Sequence, residues 1–100
     1  MVKNVALGYG TFELVNGLVF TDIQVELLDN LDAVVVVSHV PAGSTSTVIE
    51  VPDGLGWKVR CMNRDQNTNF IGNAAMSVPF DVDSGGGTTP VEIVMSVEVS

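Results

Sequence analysis

Apolar and polar side chains alternate with a period of two along almost the entire chain, and no run of ten residues carries the three-and-four spacing of an amphipathic helix. Such a sequence is committed to strands. In the C-terminal segment Val91, Ile93, Met95, Val97 and Val99 fall on one face, while Glu92, Ser96 and Glu98 fall on the other with Val94. That is the pattern of an antiparallel strand with one wet side. The same rule from Phe70 to Val82 groups Phe70, Gly72, Ala74, Met76, Val78, Phe80 and Val82 against Asn73, Ser77, Pro79 and Asp81. Pro79 has no N–H for a ladder, so this strand is an edge or breaks there. Earlier strands are expected at residues 3–7, 11–15, 19–28, 33–40, 46–51 and 57–62, separated by turn signals such as Asn16-Gly17, Asp29-Asn30 and Asp53-Gly54. Roughly seven to nine short strands punctuated this often predict an all-β chain folded as one antiparallel sandwich or barrel over residues 1–100.

Composition narrows the class. The chain is 46% apolar and 16% charged, which excludes a disordered segment, and no uncharged apolar run approaches the ~20 residues that span a bilayer. Twelve acidic against four basic residues give a formal charge of −8. This repels phosphate backbones and anionic lipid, so neither nucleic acid nor membrane insertion is expected. One cysteine permits no internal disulfide. The first ten residues have no apolar core or cleavage site of a signal peptide, so either secretion by that route is not expected or a leader has been removed.

Three of the four basic residues stand in one short stretch, "GWKVRCMNR", residues 56–64. With period two, Trp57, Val59 and Cys61 face the core, whereas Lys58, Arg60 and Met62 face solvent. Lys58, Arg60 and Arg64 are therefore either a solvated row balancing neighbouring acids or a clamp for an anion or a partner's carboxylates. Cys61, inward, reads as a small buried hydrophobe.

The run "IEVPDGLGWKVRCMNRDQNTNFIGNAAMSVPFDVDSGGGTTPVEIVM", residues 49–95, holds a Val51-Pro52-Asp53-Gly54 turn, an Asn- and Asp-rich turn over 63–69, Phe70-Ile71-Gly72, a Gly-rich turn at 85–87 and a closing strand over 91–95. In these elements it resembles the second half of an immunoglobulin-like or prealbumin-like β-sandwich module of bacterial cell-surface proteins and lipoproteins. The resemblance implies an immunoglobulin-like sandwich acting as a structural or adhesive module, commonly one of several in a longer chain. On this resemblance, and not on composition, the expected setting is extracellular, cell-surface or virion-surface rather than cytoplasmic.

Few constellations suit chemistry. "DVDSGGGTTPVE", residues 81–92, places Asp81, Asp83, Gly86 and Glu92 at positions of a calcium loop. Gly85 and Pro90 stand where such a loop does not want them and both flanks read as strands, so Asp81, Asp83 and Glu92 remain a candidate calcium set in a sandwich loop. His39, the sole histidine, lies in an apolar strand, and its neighbour Ser38 points to the opposite face, so the two cannot meet in a catalytic triad. No enzyme and no cofactor is expected, calcium at this loop being the one candidate, against a hairpin tip whose acids are merely solvated. Residues 33–37, "AVVVV", are apolar on both faces, which places them mid-sheet or at a subunit contact. The expected role is a non-enzymatic structural or interaction module: a surface-protein spacer, an adhesive module or a particle-decorating subunit. Its partners would be another protein, neighbouring domains or a second copy. The alternative is a binding module for calcium, glycan or peptide through the loops at one end.

Overall fold

A computed structural model describes residues 2–9, 17, 19–83 and 91–95. The described residues hold no helix. They form eight strands: β1 (Val2–Tyr9), β2 (Phe20–Leu28), β3 (Val34–Pro41), β4 (Ser46–Glu50), β5 (Gly54–Asp65), β6 (Phe70–Met76), β7 (Phe80–Val82) and β8 (Val91–Met95). The strand expected over residues 11–15, the glycine-rich turn at 85–87 and the strand's continuation through Val97 and Val99 lie outside the described residues.

The strands make two sheets. One runs β4-β1-β8; the other runs β3-β2-β5-β6, with β7 paired to the first part of β5. Alternation fills a common core from both. Val5, Leu7, Ile49, Val91 and Ile93 of the first sheet, with Val51 just past β4, meet Ile23, Val25, Leu27, Val59 and Cys61 of the second and Val82 of β7. All twelve are at most 7% exposed. A buried aliphatic side chain contributes roughly 1.5–3 kcal/mol, so this cluster is the main source of stability.

Wholly antiparallel pairing, a fully inward Trp57 and a mid-sheet place for residues 33–37 are corrected, whereas the break expected at Pro79 is found. The pairing is not wholly antiparallel: β8 runs parallel to β1, Val5 opposite Val91 and Leu7 opposite Ile93. Alternation sets the face of a residue but not the sense of its strand's neighbour, which long-range order decides. The stretch from Phe70 to Val82 is two strands, the break falling at residues 77–79, around Pro79. On one side of it β6 pairs with the second part of β5, and on the other β7 pairs with Gly54 and Trp57. Trp57 is only half-buried at the rim of the core, where β5 bulges against β7.

Residues 33–37 do not lie mid-sheet. β3 is the edge strand of its sheet, and Val34, Val35 and Val37 are 43%, 49% and 48% exposed. Val36 and Val40 turn inward and pack against the core.

Two hairpin turns share one architecture. Asp29 Oδ1 accepts the N–H groups of Leu31 and Ala33, each at 2.9 Å, and Asp65 Oδ1 accepts those of Asn67 and Asn69 at 2.8 and 3.0 Å. In each turn the fourth residue, Asp32 or Thr68, adopts a positive φ of 64° or 65°. A short acceptor at the first position satisfies the backbone that such a turn would otherwise leave bare.

Candidate functional site

The outer face of the β3-β2-β5-β6 sheet carries the three clustered cations, and the register explains them. Antiparallel pairing puts Glu26 of β2 opposite Arg60 of β5 and Asp22 opposite Arg64. Arg60 Nε donates to Glu26 Oε1 at 2.7 Å. Arg64 grips Asp22 with two parallel bonds, Nε to Oδ1 at 2.7 Å and Nη2 to Oδ2 at 2.5 Å. Lys58 reaches Asp32 in the β2–β3 turn. Each cation therefore has a carboxylate of this chain, and directly opposed charges on one sheet face are mutually stabilising.

The pairs differ in depth. Glu26 is 5% exposed although it lies on the outer face, and Gln24 Nε2 gives it a second donor at 3.3 Å. The chain of contacts continues to β3, where His39 Nε2 meets Gln24 Oε1 at 3.0 Å. The forked Arg64 bond holds the Asp22 carboxyl below its ordinary value, against the upward pull of burial, and Asp22 in turn raises Arg64. Asp32 is exposed, so its bond to Lys58 is worth little.

The charge accounting of this face is unusual for the chain. The three pairs cancel, so the whole formal charge of −8 is carried by the other residues. On the β3 side the neutrality extends along the backbone, since residues 33–49 contain no Asp, Glu, Lys or Arg. This segment covers all of β3 and most of β4, one edge strand of each sheet among the described residues. Apolar groups flank the paired charges on both sides: Val37 sits opposite Glu26, and Met76 and Phe70 of β6 sit opposite Arg60 and Arg64. Phe70 and Met76 are 54% and 48% exposed.

The two edges of the sheet are built differently. On β6, Ile71 and Ala75 bracket three residues that face Met62 alone, and Gly72 takes a φ of 73° that only glycine adopts freely. Such a bulge bends an edge away from further pairing. On β3 one extra residue, Val35, interrupts the ladder near its start, and the strand then runs in register to Pro41.

The candidate calcium residues are not gathered. Among the described residues no group of three or more His, Cys, Asp or Glu is placed to hold a metal ion. Asp81 Oδ1 accepts the Gly56 N–H at 3.0 Å, which satisfies the backbone at the β5 bulge. Glu92 lies on β8 beside Ala6 of β1.

Cys61 is fully buried, and burial, with the Glu26 charge adding, pushes its thiol up to about 12. Three buried polar side chains missed by alternation lie on the inner face. Asn63 is 0% exposed, Asp65 caps the β5–β6 turn, and among the described residues neither the Asn63 amide atoms nor the buried Ser38 hydroxyl has a hydrogen-bond partner. Comparison with protein-family models, curated proteins and solved structures gives no match to this chain.

Proposed function

We propose that this chain is a non-enzymatic structural or interaction module, a single β-sandwich domain of immunoglobulin-like type, that meets its partner through the β3 edge. One observation carries the reading: β3 is an edge strand with three half-exposed valines, set in a segment without formal charge and beside a face whose charges are already paired. An apolar uncharged edge is the feature that soluble β proteins ordinarily remove with lysine, and its retention here marks a contact surface. The side chains best suited to nucleophilic or acid–base work support the same reading. The Cys61 thiol is buried and held protonated, and His39 is bonded to Gln24 on the opposite face.

The test is retention by the immobilised protein. Proteins held by the wild type, second copies included, should be lost with Val37→Lys and kept with Val48→Lys, which alters the outer side of β4. Identical sets on wild type and Val37→Lys would contradict the reading.

A further inference from the structure

Among the described residues, the edge of β3 is open over a short stretch with fixed ends. In an antiparallel pair, opposed residues alternate between those that exchange backbone hydrogen bonds and those that do not. Ala42 donates its N–H to Thr21 O at 3.1 Å. Stepping along the register from that bond puts Val40 with Ile23, Ser38 with Val25 and Val36 with Leu27 in the bonded class. The backbone groups of Val37 and His39 therefore point away from β2. Beyond them the edge closes. Pro41 has no N–H, and its carbonyl accepts from both the N–H and the hydroxyl of Ser44. At the other end Val35 is the extra residue of the bulge, and Ala33 is bonded to Asp29 through both its N–H and its C=O.

The midpoint of this open stretch is Ser38. Its side chain points inward, and its hydroxyl is buried with no hydrogen-bond partner among the described residues. A buried hydroxyl left in that state is destabilising, because its lost hydration is not replaced. The geometry points to a second copy of this chain as the occupant of the edge, β3 paired antiparallel to β3 about a two-fold axis at Ser38. This rests on the interaction-module reading above and names its partner.

In that arrangement Val37 of each copy faces His39 of the other, and each such pair exchanges both backbone bonds through the groups that now point outward. Ser38 faces Ser38 of the second copy in a non-bonded pair, where Cα atoms approach to about 4.5 Å and side chains meet. There each hydroxyl, once rotated about χ1 out of its buried position toward the open edge, meets the other and gains the partner it lacks. A strand from an unrelated protein would satisfy the backbone equally well but would match the serine only by chance. Pro41 falls opposite the bulged Val35, so the pairing ends where each edge loses its backbone groups. Charge does not oppose the approach: residues 33–49 are uncharged, and Asp22, Glu26 and Asp32 are paired with Arg64, Arg60 and Lys58.

Two measurements on the intact chain test the proposal. Amide exchange at rising protein concentration should slow at Val37 and His39 and stay constant at Ser38 and Val40, whose N–H groups already bond to β2. Air oxidation of a Ser38→Cys variant should give a covalent dimer, because about 4.5 Å between Cα atoms lies within disulfide reach. A Val48→Cys control on β4 should crosslink at least about tenfold more slowly, the ratio expected when only one position is preorganised. Constant exchange at Val37 and His39, or equal crosslinking at residues 38 and 48, overturns self-pairing. Protection of the same two amides only on adding another protein also overturns it, while leaving the interaction-module reading in place.

Discussion

Glu26 stands on the solvent side of β2 yet is 5% exposed, because Arg60, directly opposite on β5, places Nε 2.7 Å from its carboxylate. Removing one member of such a pair leaves the other desolvated and uncompensated. Arg60→Ala should therefore lower stability by roughly 2–3 kcal/mol. Lys58→Ala, whose partner Asp32 is 64% exposed, should cost less than about 1 kcal/mol. Urea unfolding of both variants checks the contrast. Similar losses would mean that depth does not rank these pairs.

Acid should weaken the fold partly through Asp22. Its carboxyl is held below the ordinary value by the Arg64 fork, so the folded state binds its proton less readily than the unfolded chain does. The stabilisation is complete above the unfolded value of about 4 and is lost as pH falls through the lower folded value. Asp22→Asn should flatten the fall in melting temperature below pH 4 relative to wild type. A fall of unchanged steepness would place the acid sensitivity elsewhere.

The buried Cys61 thiol should ignore thiol reagents in the native protein and react once denaturant is added, since its ionisation is pushed up to about 12. Rapid labelling at neutral pH without denaturant would contradict its place in the core beside Val25 and Val59.

Alternation alone was enough to find most of the strands and to assign Val59 and Cys61 inward and Lys58 and Arg60 outward. It failed where polar residues face in. Asn63 and Asp65 continue the inner face of β5, so the apolar pattern stops at Cys61 while the strand runs on to Asp65. Long-range order was equally illegible. Residues 33–37 have the apolar character of a central strand, yet β3 is an edge, because strand order depends on which distant segment pairs with which. The cation cluster was visible, but its partners were not. Asp22, Glu26 and Asp32 are 42, 34 and 26 residues from the bases they meet; the β2–β5 register brings the first two together with theirs, and the β2–β3 turn carries Asp32 to Lys58.

Thr68 should be a site of easy stabilisation. It is β-branched and held at a φ of 65° in the β5–β6 turn, a conformation that costs such a residue about 1–2 kcal/mol. Thr68→Gly should raise the unfolding free energy by about 0.5–1 kcal/mol, whereas Asp65→Ala, which strands the N–H groups of Asn67 and Asn69, should lower it. Thermal or urea unfolding decides, and a destabilising Thr68→Gly would mean that the turn geometry is not strained.

A chain of charge −8 that associates through a face and edge without net charge should respond to salt in one direction. The most direct measurement is sedimentation equilibrium over a range of concentrations at about 0.02 M and 0.5 M sodium chloride. Screening the repulsion between the charged remainders of two chains should tighten association at the higher salt, because no ion pair crosses the seam to be weakened. Association that weakens as salt rises would reveal an ion-pair contact and contradict the account. A strictly monomeric protein under both conditions would contradict self-association itself.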